Sequence, residues 1–203
     1  MISRRQTVLG LAAASGLASP ALALTRTPRQ AMGPFYPDVL PSESDADLVR
    51  IGSGAAALGE EIEVAGRLLG LDGRPVAGGF VELWQANAGG RYAHSLDTSN
   101  VPLDPNFQGY GIVRTDDQGR YRFRTIRPGV YPGRTRHLHF RVGGPGFEPF
   151  PTQMYFAGDA GNAQDFLLNR IADPLAREAV TVGFNRDPST NIERGTFDIV
   201  AGT

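Results

Sequence analysis

The sequence of 203 residues contains no cysteine, and histidine occurs at only three positions. Disulfides, thiolate metal sites and a lipid anchor on an N-terminal cysteine are therefore excluded. Any metal ion must be held by histidine, tyrosine, aspartate or glutamate. An excess of positive charge is also lacking, since 20 basic residues stand against 21 acidic ones. We therefore expect no binding to nucleic acid, which needs basic side chains to neutralise its phosphates.

Residues 1–23 have the pattern of an export signal. Arg4 and Arg5 precede an apolar run, from Val8 to Leu17, that is too short to span a bilayer. The Ala-Leu-Ala sequence at 21–23 is typical of a cleavage site. Paired arginines directly before the apolar run predict a twin-arginine signal, and a general secretory signal is the alternative. We expect a periplasmic or secreted protein that has no membrane anchor once the signal is cleaved.

The rest of the chain is predicted to form one all-β domain. Hydrophobic residues make up 41% of the chain, and 26 glycines and 15 prolines favour short strands over long helices. Residues 24–60 lack strand or helix periodicity up to Leu48 and are predicted to be an extended N-terminal arm. From there, alternating segments separated by turn residues predict an antiparallel β-sandwich at 61–203. The predicted strands are EIEVAGRLLG, FVELWQAN, RYRFRTI, HLHFRVG, TQMYFAG and TFDIV.

One short helix is predicted near the C-terminus, from about Ala163 to Ile171. Its apolar face would contain Phe166, Leu167 and Ile171. The predicted fold class is therefore all-β, with an extended N-terminal arm, an antiparallel β-sandwich and this short C-terminal helix.

Two of the three histidines lie one residue apart in the segment YPGRTRHLHF, residues 131–140. If HLHF is a strand, His137 and His139 point to one side, and Leu138 and Phe140 point to the other. Two imidazoles at this spacing can reach one metal ion. The alternative is a pair of polar residues on the solvated face of an edge strand.

Two tyrosines near the histidines could add oxygen donors. Tyr131 precedes Pro132, which favours an extended backbone at residue 131, and Tyr92 follows a Gly-Gly turn. Phenol has a pKa of about 10, but a highly charged cation deprotonates it. Two phenolates and two imidazoles suit ferric iron, whereas zinc and copper sites rely on histidine and cysteine. The alternative for each tyrosine is a half-buried ring with a hydrogen-bonded hydroxyl.

Four longer motifs occur in order: ELWQANAGGRY, LDPNFQGYG, TDDQGRYRFRTIRPGVYPGRTRHLHF and PTQMYF. With the arm motif GPFYPD and the closing TFDIV, they resemble the intradiol ring-cleavage dioxygenases of the protocatechuate 3,4-dioxygenase type, over about residues 32–201. The resemblance implies a β-sandwich that binds one non-haem Fe(III) per chain. It also implies cleavage of a catechol-type ring by O2 between the two hydroxylated carbons, which gives a cis,cis-muconate-type diacid. The implied iron ligands are Tyr92, Tyr131, His137 and His139.

The resemblance also implies separate roles around the iron. Tyr131 matches the ligand that the catechol displaces and that takes up a substrate proton, while Tyr92 matches the tyrosinate that stays bound. Arg134 matches an arginine whose permanent charge stabilises the electron-rich ring. Strand alternation directs Arg136 away from the histidine face, so a structural or rim charge is predicted there. Gln153 matches the family's glutamine that polarises the site.

The chain departs from the family pattern in two places. Only five residues separate Tyr131 from His137, and this short loop predicts a more open site with a larger or different substrate. The protocatechuate enzymes also use two kinds of subunit, whereas this single chain carries both the ligand set and the GPFYP arm. Gly33, Pro34 and Tyr36 are therefore predicted to line the substrate pocket, within one chain or across a homo-oligomer.

Two other functions agree with parts of the sequence. A non-enzymatic, exported transthyretin-like β-sandwich would share the pattern GRPVAGGFVELW followed by TDDQGRYRFRTIRPGVY, but such domains lack the histidine pair, the GGRY tyrosine and the TQ strand. A periplasmic copper- or zinc-binding protein could use His137, His139 and His94, but it would leave both tyrosines and Arg134 without a role. The dioxygenase is therefore the favoured interpretation.

Overall fold

Ten β-strands form two five-stranded sheets around one hydrophobic core, in a computed structural model that describes residues 24–202. One sheet contains β1, β4, β8, β9 and β10, and the other has the strand order β3-β2-β5-β6-β7. The predicted β-sandwich is confirmed, while the predicted export signal at 1–23 lies outside the described residues. The strands are β1 (Glu61–Gly70), β2 (Phe80–Trp84), β3 (Tyr110–Arg114), β4 (Arg120–Ile126), β5 (His137–Gly144), β6 (Phe147–Phe156), β7 (Thr181–Val182), β8 (Phe184–Arg186), β9 (Glu193–Thr196) and β10 (Ile199–Ala201).

Both sheets are mixed rather than purely antiparallel. β1 pairs antiparallel with β4 but parallel with β9 and β10, and β6 pairs parallel with β7. The predicted strands at 61–70 and 120–126 are confirmed at their bounds. The predicted closing strand TFDIV is split between β9 and β10. Between them, the carboxylate of Asp198 accepts a hydrogen bond from the backbone N of Arg67 at 2.8 Å, where a continuous strand would offer a carbonyl.

The predicted helix from 163 to 171 is wrong in its extent. The chain forms a 3-10 helix at Ala160–Gln164 and a four-residue helix α1 at Phe166–Asn169. Asp165 separates them because its backbone is extended and its carboxylate accepts hydrogen bonds from the backbone N of Leu167 and Leu168, the second and third residues of α1. A second helix, α2 (Pro174–Ala179), was not predicted.

The buried side of α1 also differs from the prediction. Leu168 packs into the core, whereas the side chain of Phe166 is exposed and those of Leu167 and Ile171 are partly buried. Four residues make little more than one turn, so helical periodicity has no length over which to define a face. None of the helices between residues 24 and 202 is long and apolar enough to cross a membrane.

The arm at residues 24–60 contacts both sheets, and it contains no helix or extended strand among these described residues. The backbone N of Thr27 donates to the carbonyl of Val200 at 3.1 Å in the first sheet, and that of Gln30 donates to Pro151 at 2.9 Å in the second. The Gln30 side chain also donates to the carbonyl of Gln153 at 2.9 Å. The arm therefore reaches the sheet that carries the histidine pair.

Candidate active site

The candidate site lies on the outer face of the second sheet, where β5 carries the histidine pair. Leu138 and Phe140 of β5 are fully buried in the core between the sheets. Because side chains alternate along a strand, His137 and His139 point to the opposite face. The predicted same-side placement of the two imidazoles is therefore present in the fold.

The strands on either side of β5 add polar and aromatic groups to the same face. Residues directly opposite each other on antiparallel strands share a face. On β6, Gln153 lies opposite His139 and Tyr155 lies opposite His137. On β2, Trp84 lies opposite His139, and their rings are stacked with centroids 4.9 Å apart and planes 12° apart. Pairing across three strands therefore builds the floor of the site.

The two imidazoles present the same nitrogen to a shared point. Nδ1–H of His137 donates to the carbonyl of Thr135 at 2.7 Å, which leaves the lone pair of Nε2 free. Nε2 of His139 lies 3.1 Å from Nε2 of His137. Burial lowers the pKa of His137 to about 4, with Arg134 acting in the same direction, and burial lowers the pKa of His139 well below its ordinary value. Both rings are therefore neutral, as a metal ligand must be.

Two loops bring tyrosine hydroxyls to the same point. Tyr92 lies in the loop after β2, and its Oη is 3.1 Å from Nε2 of His139. Tyr131 lies in the loop between β4 and β5, and its Oη is 3.2 Å from Nε2 of His137. Tyr92 is buried, whereas Tyr131 is partly exposed. Burial raises the pKa of both phenols, and Arg134 opposes this effect.

The spacing of these four donor atoms suits one metal ion. A bond of about 2.0–2.1 Å, typical of imidazole nitrogen on a transition metal, separates two ligands by about 2.9 Å at a right angle and about 3.3 Å at the tetrahedral angle. The three distances between neighbouring donors, 3.1, 3.1 and 3.2 Å, lie within that range. Residues 24–202 contain no group of three or more histidine, aspartate or glutamate side chains that could hold a metal ion. In the candidate site, two of the four donors are imidazole nitrogens and the other two are phenol oxygens.

A guanidinium stands directly beside the donors. Nη2 of Arg134 donates to Oε1 of Gln153 at 2.6 Å and lies 3.4 Å from Oη of Tyr155. Its Nη1 lies 3.5 Å from Oη of Tyr131. The amide nitrogen of Gln153 donates in turn to the carbonyl of Ala31 in the arm at 2.9 Å. The fold thus brings Arg134, Gln153 and Tyr131 together, as expected from the sequence.

Arg136 is directed away from this cluster. Its Nε donates to the carbonyl of Pro128 at 2.9 Å, and its Nη1 donates to the carboxylate of Asp159 at 2.8 Å. The side chain is 35% exposed, compared with 8% for Arg134. Arg136 therefore points away from the site, as expected, although it lies on a bend just before β5 rather than within the strand.

The arm covers part of the site within the same chain. A Cβ atom at Gly33 would lie 3.1 Å from Cε1 of His139, and the backbone there has a φ of +78°. Phe35 stacks on Tyr92 with ring centroids 4.7 Å apart. Only a residue without a side chain lets the arm approach the histidine this closely.

The other two predicted pocket residues differ in their surroundings. Pro34 is exposed. Tyr36 packs edge-on against Trp84 at 5.1 Å, and its hydroxyl donates to the buried carboxylate of Glu82 at 3.4 Å. Tyr36 therefore anchors the arm beside the site.

Comparison with known proteins shows the family of the chain. A dioxygenase family model matches residues 31–201. The chain is 38% identical over 194 residues to the protocatechuate 3,4-dioxygenase beta chain of Burkholderia cepacia, a match that covers 85% of this chain and 82% of that one. The chain belongs to the intradiol ring-cleavage dioxygenases. The enzymatic interpretation is thereby confirmed over the transthyretin-like and metal-carrier alternatives.

Other relatives of the dioxygenase differ in length. This chain is 35% identical over 145 residues to the 6-chlorohydroxyquinol 1,2-dioxygenase of Cupriavidus pinatubonensis. The match covers 63% of this chain and 49% of that protein. A solved structure, the dioxygenase domain of a dioxygenase carbohydrate-binding protein fusion from Streptomyces sp. SirexAA-E, is 31% identical with a TM-score of 0.69. That match covers 88% of this chain and 99% of the other. The chain thus matches nearly the whole of that dioxygenase domain but spans about half the length of the chlorohydroxyquinol relative.

Some residues of the site were missed by sequence reasoning. Trp84 stacks on His139, and the hydroxyl of Tyr155 contacts Arg134 and Gln153. Trp84 and Tyr155 both lie in predicted strands, and the pairing of those strands with HLHF would have placed them on the face of the histidines. Asp165 accepts a hydrogen bond from Nε of Arg134 at 2.8 Å, and it was assigned to the interior of a helix. No local pattern connects it to an arginine 31 positions earlier.

His94 does not join the four donors of the dioxygenase. Its Nδ1 accepts a hydrogen bond from the backbone N of Leu96 at 3.0 Å, and its ring packs edge-on against Phe35 at 5.7 Å. The ligand set implied by the family resemblance likewise omits His94.

Proposed function

We propose that the enzyme is a non-haem Fe(III) dioxygenase that cleaves a catechol-type ring between its two hydroxylated carbons, with one iron per chain held by Tyr92, Tyr131, His137 and His139. The observation that carries the proposal is the convergence of two phenol oxygens and two imidazole nitrogens, with neighbours 3.1–3.2 Å apart. The family as a whole uses non-haem ferric iron. Two hard anionic oxygens offset much of the charge of a trivalent cation. The same donor set is a poor match for zinc or Cu(I).

The bound iron would supply a Lewis acid that accepts the deprotonated catechol and makes its ring reactive towards O2. The phenols must lose their protons for the iron to bind. Burial is the main cause that holds the pKa of Tyr92 and Tyr131 above the ordinary value. Iron loading should therefore release protons and depend on pH.

The two tyrosines differ in a way that suits the roles proposed for them. Tyr92 is buried beneath Phe35, and its ring cannot leave without displacing the arm. Tyr131 is partly exposed and lies in a loop, with Arg134 near its hydroxyl. Tyr131 would be the ligand that gives way to the substrate, and its Oη would take up a substrate proton. The nearby guanidinium would stabilise the phenolate until that proton arrives.

Arg134 is assigned the stabilisation of negative charge on the catechol ring. Its side chain is 8% exposed, so its charge acts in a region that largely excludes water. It cannot deprotonate at physiological pH. Gln153 holds the outer nitrogen of the guanidinium through a 2.6 Å hydrogen bond. The cation is therefore fixed before the substrate arrives, which is the condition for electrostatic catalysis.

The proposed overall reaction consumes one catechol and one O2 and yields a cis,cis-muconate-type diacid. Both oxygen atoms enter the product, and no external reductant is required. A relative with 38% identity acts, by its name, on protocatechuate, and others act on catechol or chlorohydroxyquinol. The short loop between Tyr131 and His137 borders a groove of about 230 Å³ that includes Gly133 and Gln164. We propose that a substituent larger than a carboxylate is accepted on this side.

Oxygen uptake tests this function. Purified, iron-loaded protein would be supplied with catechol, protocatechuate, hydroxyquinol and catechols that carry larger side chains. We expect O2 consumption matched by a cis,cis-muconate-type product that contains two atoms from labelled O2. Consumption without ring cleavage, or cleavage beside the hydroxylated carbons, would contradict the proposal.

We also propose that the enzyme is exported by a twin-arginine signal at residues 1–23. The support is the Arg4–Arg5 pair followed by an apolar run. Fractionation of cells that express the full chain would test this. Replacement of both arginines by lysine should retain the protein in the cytoplasm, whereas unchanged export would indicate the general secretory route.

A further inference from the structure

Asp165 is a buried carboxylate for which the proposed reaction has no role. Its side chain is fully buried, and Oδ2 accepts hydrogen bonds from Nε of Arg134 at 2.8 Å and from the backbone N of Thr135 at 2.9 Å. Oδ1 accepts from the backbone N of Leu167 and Leu168 at 3.0 and 2.9 Å. Burial raises the pKa of Asp165, but the hydrogen bonds from Leu168, Arg134 and Thr135 outweigh this and hold it below its ordinary value. The group is therefore ionised.

Two contacts at different nitrogens fix the direction of the Arg134 guanidinium. Asp165 accepts a hydrogen bond from Nε at 2.8 Å, and Gln153 accepts one from Nη2 at 2.6 Å. A planar guanidinium held at two of its nitrogens cannot rotate freely. The remaining nitrogen, Nη1, points towards Oη of Tyr131 at 3.5 Å. The carboxylate thus determines which part of the cation faces the proposed metal ligands.

The same carboxylate also fixes the backbone next to a histidine. Thr135 donates its N–H to Asp165, and its carbonyl accepts Nδ1–H of His137 at 2.7 Å. The buried carboxylate of Asp165 therefore binds both a side chain and a backbone amide of the loop from 134 to 137. It also anchors this loop to the first turn of α1.

From this geometry we infer that Asp165 is a positioning residue for the ring-cleavage reaction, which acts by holding Arg134 in the orientation that faces the substrate. The inference rests on the proposed function of Arg134. It predicts a larger loss in turnover than in iron binding, because Asp165 contacts none of the four donors directly and reaches His137 only through the backbone of Thr135.

The substitution Asp165→Asn tests this with little change in shape. Asparagine is as good as aspartate at a helix N-terminus, so α1 keeps its cap through Oδ1. The amide nitrogen, however, would replace Oδ2 and meet two N–H donors, from Arg134 and Thr135. We expect kcat to fall by about 10- to 100-fold, the range for a catalytic group displaced by about an ångström, with iron content and visible absorption retained. Asp165→Ser keeps the cap without the misplaced donor and should show the same pattern.

Asp159 supplies a matched control. It lies in the same segment, caps the preceding 3-10 helix, contacts the hydroxyl of Thr135, and forms an ion pair with Arg136 at 2.8 Å, on the side away from the site. Asp159→Asn removes an arginine–carboxylate pair of the same length and should leave kcat within about twofold of the wild-type value. Equal losses in kcat at the two positions would mean that the effect is structural.

A double-mutant cycle in metal-free protein provides a measurement that does not depend on activity. The shift in urea midpoint caused by Asp165→Asn should be smaller in an Arg134→Ala background, because the partner is already absent. In the loaded enzyme, Asp165→Asn should likewise reduce kcat no further once Arg134 is alanine. Additive effects in both assays, or full activity of Asp165→Asn, would overturn the inference. If the wild-type protein cleaves no catechol at all, the proposed function fails instead.

Discussion

Replacement of Gly33 by alanine tests whether the arm supports the metal site or only covers it. Gly33 has a φ of +78°, and an alanine Cβ would lie 3.1 Å from Cε1 of His139. Carbon atoms normally pack at about 3.5–4.0 Å, so the methyl group must displace either the arm or the imidazole. The ring is stacked on Trp84 at 4.9 Å and is not free to tilt.

The stability cost of this substitution can be separated from its effect on the site. A left-handed backbone costs a non-glycine residue about 1–2 kcal/mol. Alanine recovers roughly 0.4–1 kcal/mol because it makes the unfolded chain less flexible. A net loss of about 1 kcal/mol is therefore expected from backbone strain. Gly78 gives the matched control, since its φ is +67° and a Cβ there would meet no atom within 4 Å.

Both alanine variants should lose about 1 kcal/mol of unfolding free energy in urea. Only Gly33→Ala should also lose iron affinity, by about 10- to 100-fold, as metal sites do when the groups that orient a ligand are disturbed. Iron retention against a chelator and kcat with a catechol would measure this. Equal iron retention and kcat in Gly33→Ala and Gly78→Ala would refute the view that the arm positions His139.

Three further outcomes follow from the same site and core. Arg134→Ala should keep iron and its visible absorption but lose turnover by about 100-fold, as expected when one preorganised charge is removed. Arg136→Ala should retain most of its activity in the same kinetic assay. The reverse order of activities would refute the alternation argument. The variant Tyr92→Phe should contain much less iron than the wild-type protein, as measured by metal analysis. A wild-type iron content in this variant would show that Tyr92 is not a ligand. Phe140→Ala should lower the unfolding free energy by about 3–5 kcal/mol, because its side chain is fully buried between the sheets, and a change below about 1 kcal/mol would contradict that packing.

The alternation of side chains explains why much of the sandwich was predictable. The strands at 61–70 and 120–126 alternate and end at turn residues, so their bounds follow from local chemistry. β3 was missed because YGIVR follows the irregular segment LDPNFQG and is too short to show a period. The parallel pairing of β9 and β10 with β1 joins residues more than 120 positions apart, and no local pattern encodes such pairing.

The site was predictable where its residues lie in short motifs and unpredictable where they meet through the fold. His137, His139 and Tyr131 are close in sequence, and Tyr92 follows a recognisable turn. The contact between Asp165 and Arg134 depends on how α1 packs against the ligand loop. Asp165 is extended because its carboxylate caps α1 and binds the arginine at the same time, and helix propensity in the surrounding residues concealed this.

Metal analysis combined with visible spectroscopy tests the central claim most directly. Protein purified in air should contain one iron per chain and be reddish to burgundy, because charge transfer from tyrosinate to ferric iron absorbs visible light. Addition of a catechol without oxygen should shift that band as the substrate replaces Tyr131. A colourless protein with stoichiometric zinc or copper, and no spectral response to catechol, would contradict the account.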